Sequence, residues 1–218
     1  MSQGATRGLL KSLFPEGTWA NIRQGYWHLW DLWHGVETTR IVEIDSLNVI
    51  GENRAHAIHY EPSGSVGALL RELRIPYEQY GFIDFGSGKG RVLLQAAAFP
   101  FRTVVGVEFS IEMHRIAERN IRSYRGAKVR CRSVKSILAD AAGFSPRPIP
   151  LVVYFHNPFS ESVLTPVIGN ICRSAAEHPR DVILLWAGKW GAKEVLDRIP
   201  GIRTLWTQYG STAYRLAP

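Results

Sequence analysis

The segment Gly81-Phe-Ile-Asp-Phe-Gly-Ser-Gly-Lys-Gly-Arg sets one carboxylate, Asp84, just ahead of three alternating glycines, Gly86, Gly88 and Gly90. Glycine tolerates positive φ and lets a ligand approach the backbone closely, so a turn of this kind offers N–H groups to a nucleotide-like ligand where a helix begins. The spacing discriminates among nucleotides. A dinucleotide fingerprint reads GxGxxG, but here the third glycine comes one residue early and Arg91 stands where that pattern needs glycine. A P-loop needs Ser or Thr after GxxxxGK, whereas Lys89 is followed by Gly90. A second carboxylate, Glu108, closes the run Val104-Val-Gly-Val-Glu, 24 positions after Asp84, where it can accept from both hydroxyls of a ribose. A third acid, Asp140 in Ile137-Leu-Ala-Asp-Ala, either reaches the same ligand or opens a turn.

Other reactive side chains are sparser. His56 and His59 form an HxxH pair without a third or fourth ligand, so they read as ordinary polar residues and no metal is expected. Cys131 and Cys172 lie 41 positions apart without CxxC spacing and read as free thiols. The apolar run Leu151 to Phe155 delivers His156-Asn157-Pro158-Phe159. An Asn amide beside a backbone carbonyl can hold an amino nitrogen, and Phe159 can stack on a flat or cationic group.

These residues need a scaffold that gathers strand ends. From residue 63 onward, helix-like stretches alternate with short apolar runs, the pattern of a doubly wound α/β fold with a mostly parallel sheet. Strands are predicted at Phe82 to Phe85, Thr103 to Val107, Val134 to Leu138, Leu151 to Phe155 and Val182 to Trp186, each buried on both faces. Helices are predicted from Ser63 or Ser65 to Leu73, and over Lys89 to Phe99, Ile111 to Tyr124, Ser162 to Ala176 and Ala192 to Ile199. Two runs around Tyr209 and Gly210 predict a hairpin, which makes seven strands.

Residues 1–50 differ in composition and read as an N-terminal helical extension to a domain over 51–218. Trp19, Ile22, Tyr26, Leu29, Trp30 and Trp33 recur at helical spacing, with Thr18 as N-cap. So aromatic a face is expected to be buried, by packing that also walls a pocket.

Asp84-Phe-Gly-Ser-Gly-Lys-Gly resembles the DxGxGxG first motif of class I S-adenosylmethionine-dependent methyltransferases, and the resemblance runs from about Tyr60 to the C-terminus. Glu108, Asp140 and Asn157-Pro158-Phe159 follow in that family's order. The resemblance implies the seven-stranded class I fold, S-adenosyl-L-methionine as cofactor and S-adenosyl-L-homocysteine as product. It implies a cofactor site of Asp84, Gly86, Ser87, Gly88, Gly90, Glu108, Phe109, Asp140, Ala141 and Asn157. It also implies an acceptor site of Tyr60, Asn157 and Phe159. The front segment, Tyr60-Glu61-Pro62 and Asn-Pro-Phe are similar to small bacterial methyltransferases related to the protein-lysine group. Asn157-Pro158-Phe159 lacks the second proline of the Asn-Pro-Pro-Tyr/Phe motif, which counts against a nucleobase or glutamine amide as acceptor. Lys89 and Arg91 depart from the small or acidic residues common around that loop. They either assist the methionine carboxylate or point outward.

The 218 residues suffice for one α/β domain with an extension. A 45% hydrophobic and 21% charged composition excludes a disordered chain. With no signal-like opening and no membrane-length apolar run, a cytoplasmic location and no membrane partner are expected, as monomer or homodimer. The net charge of +7 favours acidic partners, with RNA an alternative to a protein or small-molecule acceptor. Arg115, Arg119 and Arg122 share one helix face, read first as solvated because Tyr124 alone interleaves an aromatic with the charges. A methyltransferase-fold module that binds without catalysis is the other class of function considered.

Overall fold

The computed structural model describes residues 18–40, 42, 48–50, 66–126, 129–156, 160–187, 195–196 and 198–216. The five apolar runs form parallel strands: β1 (Gly81–Phe85), β2 (Thr103–Glu108), β3 (Val134–Leu138), β4 (Leu151–Phe155) and β5 (Val182–Trp186). The tail returns as the hairpin β6 (Ile202–Gln208) and β7 (Ser211–Leu216). Its two turn residues, Tyr209 and Gly210, both have positive φ, 55° and 72°, as a type I′ connection requires. The hairpin lies antiparallel on β5, so the seven strands run β3-β2-β1-β4-β5-β7-β6.

Among the described residues, the helices that accompany them are α1 (Thr18–His34), α2 (Val66–Leu73), α3 (Arg91–Ala96), α4 (Ile111–Ser123) and α5 (Glu161–Glu177). Strand alternation divides the core. Phe82, Val104 and Val152 pack with Leu69 and Leu70 of α2 and Leu93 of α3, whereas Ile83, Val105 and Val153 pack with Val167 and Ile171 of α5. Covering both faces lets β4 and β5 be apolar throughout and β1 apolar but for Asp84, and all their residues are buried. β3 departs from the expected burial on both faces, because it is an edge strand paired with β2 alone; Lys135 is exposed and its other residues are half-buried.

The helix expected over Lys89 to Phe99 is shorter. Gly90 is left-handed, at φ 81°, so regular helix starts only at Arg91, and it ends at Ala96. Half of the helix expected over Ala192 to Ile199 falls outside the described residues; Val195 and Leu196 are helical and buried, whereas Arg198 and Ile199 lie in a turn, so the helix does not reach Ile199. No helix among the described residues is long and apolar enough to cross a membrane. Cys131 and Cys172 are free thiols.

α1 corrects one expectation. Of the stripe expected to be buried, Tyr26, Leu29 and Trp33 are 64%, 68% and 83% exposed, and Leu32 beside them is 77% exposed. The side chains of Trp19 and Ile22 lie outside the described residues. Of that stripe Trp30 is half-buried and docks, on a face that it shares with Trp27, Asp31 and His34. Trp30 stacks on His34 at 4.2 Å and His34 on Tyr124 at 5.3 Å, while Asp31 is buried. Polar and aromatic partners therefore orient this helix, and its exposed apolar stripe does not.

Candidate functional site

Strand order reverses between β1 and β4: β2 and β3 continue on one side and β5 on the other. A crevice opens at the carboxyl ends of strands where order reverses, and the glycine loop follows β1 there. Gly86, Gly88 and Gly90 have φ of 73°, 51° and 81°. The loop is anchored on the end of β2, where Val107 O accepts from Gly86 N at 2.9 Å and from Ser87 N at 3.2 Å. Close contact with β2 continues through Gly106, where a Cβ would lie 2.4 Å from Ser87 Oγ and 2.7 Å from Leu93. Gly106 went unremarked in the sequence, although a glycine inside the strand Val104-Val-Gly-Val-Glu signals a close approach of this kind.

Glu108 ties the loop to the second strand. Its Oε2 accepts from Gly88 N at 2.7 Å and its Oε1 from Ser110 N at 2.9 Å. Burial raises its pKa despite the backbone N–H groups of Ser110, Gly88 and Phe109, which favour the ionised form. Asp84 is also buried, and among the described residues no hydrogen bond reaches its carboxylate. Desolvation first, and the neighbouring Glu108 second, hold the Asp84 pKa well above the ordinary carboxylate range. Two desolvated acids that interact electrostatically, with an unpartnered hydroxyl at Ser87, form a buried polar cluster beside the loop that favours a ligand carrying positive charge and hydroxyl donors. The acids, the hydroxyl and the glycine cradle thus fit S-adenosylmethionine, which has a sulfonium, an ammonium and a ribose.

The remaining expected residues divide. Phe109 and Ser110 are bordered by residues 48–50: Ile50 N donates to Phe109 O, Val49 bridges Ser110, and Ile111 N donates to Asn48 O. Asp140 Oδ1 accepts from Ala142 N at 2.9 Å and so caps the short 3₁₀ turn Ala141–Gly143, the turn-opening role that the sequence left open. Ala141 is buried beneath it. His156 follows the end of β4, while Asn157, Phe159 and Tyr60 lie outside the described residues, as do His56 and His59. Arg115, Arg119 and Arg122 are exposed on α4, as expected of a solvated face.

Lys89 and Arg91 do not point outward. Both are buried and reach the extension: Lys89 pairs with Glu37, and Arg91 Nη1 lies 3.3 Å from Asp31 and donates to Thr38 Oγ1 at 2.8 Å. The Arg91 guanidinium sits over the Trp30 and Trp27 rings, at 4.5 and 5.4 Å. Sequence reasoning missed Asp31, Glu37 and Thr38, and it missed Asn120. A polar residue on the buried α4 stripe of Met113 and Ala117 was the available signal for Asn120.

No protein-family model and no curated protein matches the chain. Solved structures do. A candidate RNA methyltransferase of Pyrococcus horikoshii superposes with a TM-score of 0.51 at 17% identity, over 79% of this chain and 92% of that one. The methyltransferase domain of a bacterial CtHen1 gives 0.51 at 16% identity, over 71% of this chain and 96% of that one. A parallel sheet ordered 3-2-1-4-5 with an antiparallel hairpin at its far edge, and a glycine loop at the point of reversal, give this chain the fold of the class I S-adenosylmethionine-dependent methyltransferases.

Proposed function

We propose that the chain is an S-adenosylmethionine-dependent methyltransferase acting on a nitrogen, either of a protein side chain such as lysine or of a small molecule. The observation that carries this reading is the pair of buried acids, Asp84 and Glu108, beside a glycine loop whose three glycines have positive φ. When bound, the cofactor supplies an electrophilic methyl on a sulfonium. The chain's part is then to align the acceptor in line and exclude water. Glu108 accepts from the ribose hydroxyls while it keeps Gly88 in place, and Asp84 faces the cationic end.

Asn157 and Phe159, directly after β4, are proposed to hold the acceptor, with Tyr60 opposite. An Asn amide and a backbone carbonyl orient an amino nitrogen, and removal from water lowers a lysine pKa toward the neutral, nucleophilic form. RNA is the second reading, supported by the exposed arginines of α4 and by the likeness to the Pyrococcus horikoshii protein.

Transfer of a radiolabelled methyl group into lysate fractionated into protein, RNA and small molecules tests the acceptor class. Label in protein or small molecules supports the first reading, and label in RNA alone the second. With the acceptor in hand, Asn157→Ala is expected to lose single-turnover rate far more than cofactor affinity. A lowered melting temperature with normal turnover per folded molecule would reduce Asn157 to a loop residue.

A further inference from the structure

The two cations of the glycine loop, Lys89 and Arg91, pair with residues 31–38. Burying a cation costs several kcal/mol unless it is paired and hydrogen-bonded. Lys89 and Arg91 flank Gly90, where the loop becomes helix, and both are at least nine-tenths buried. Their counter-charges, Glu37 and Asp31, come from the extension. Asp31 is itself held by Thr38 N and Thr38 Oγ1 at 2.6 Å and by Thr39 Oγ1 at 2.7 Å. Asn120 of α4 completes the clamp: its Nδ2 donates to Lys89 O and to Glu37 O, and its Oδ1 accepts from Glu37 N, each at 2.9 Å. Loop, extension and α4 are thereby joined at one point.

We infer that Asp31, Arg91 and Asn120 are positioning residues for the cofactor, holding the glycine loop in its binding geometry through the docked extension. This rests on the cofactor reading above. Loop geometry and docking of residues 31–39 are then one equilibrium, so the coupling is reciprocal: docking raises cofactor affinity, and bound cofactor strengthens docking by the same factor.

The test uses the full chain and S-adenosylhomocysteine as probe. Asp31→Asn combined with Arg91→Gln removes both charges and leaves neither buried alone. The double variant is expected to weaken binding by about tenfold, within the usual range of such couplings. Arg91→Lys, which keeps the charge but loses the planar fork, is expected to fall between it and the wild type. In the wild type, saturating S-adenosylhomocysteine should slow trypsin cleavage after the exposed Arg40 by about the same factor. A folded double variant with wild-type affinity overturns the inference and leaves the cofactor reading intact. If that variant does not fold, absence of ligand protection at Arg40 in the wild type overturns the inference by itself. Failure of the wild type to bind S-adenosylhomocysteine overturns the cofactor reading, and the coupling with it.

Discussion

Burial leaves Asp84 protonated to a higher pH in the folded chain than in the unfolded one. Between the ordinary aspartate pKa of about 3.9 and that raised value, the folded state binds more protons, so stability falls as pH rises through the window. A cationic ligand favours the ionised carboxylate and lowers its pKa again. Cofactor binding is therefore expected to release a proton in this window, and affinity to rise with pH until Asp84 is ionised in the free protein as well. Calorimetry in two buffers of different ionisation heat measures the release; Asp84→Asn should diminish it, and pH-independent affinity would contradict the assignment. Because Glu108 acts electrostatically on Asp84, the measured value belongs to the pair. For Glu108, loss of a charged acceptor typically costs ~1.5 to 3 kcal/mol, so Glu108→Ala is expected to weaken binding by about ten- to a hundredfold. Calorimetry checks this too, and unchanged affinity would remove the ribose from Glu108. Both acids were legible in the sequence because each ends an apolar run. Asp31 was not, since its partner is 60 positions away and an aromatic helix invites attention to its apolar stripe.

At the scale of elements, the close seat of the loop on β2 is the feature that sets site geometry. Gly106→Ala puts a Cβ well inside contact distance of the Ser87 side chain and of Leu93, so loop or strand must shift. Overpacking of this kind costs about 1 to 3 kcal/mol. A lower melting temperature together with weaker cofactor binding is the expected outcome, and full retention of both would show that the loop can move away freely. The strands were readable almost residue by residue, since runs such as Leu151 to Phe155 are covered on both faces and carry no competing signal. Helix ends were less so. The left-handed conformation of Gly90 delays the start of α3 by two residues from Lys89. The half-exposed character of β3 follows from strand order, which no local pattern in Val134 to Leu138 encodes.

For the whole molecule, topology brings Asp84, Gly86 to Gly90 and Glu108 together at the carboxyl end of the sheet, and residues 31–38 pair with the loop through Lys89 and Arg91. The apolar stripe of Tyr26, Leu29, Leu32 and Trp33 plays no part in that docking. Sequence reasoning placed the glycine loop and Glu108 because spacing alone separates this loop from other nucleotide turns. The loop's link to the extension came only with the three-dimensional contacts. Equilibrium dialysis of radiolabelled S-adenosylmethionine against the wild-type chain and Gly88→Val bears most directly on the central claim. Gly88 has a φ of 51°, which a β-branched side chain resists, and it lies on the loop face joined to Glu108. The account predicts saturable binding of one equivalent per wild-type chain, competed by S-adenosylhomocysteine. It predicts loss of that binding in Gly88→Val with an unchanged circular dichroism spectrum. No saturable binding to the wild type, or equal binding to a folded Gly88→Val chain, would contradict it.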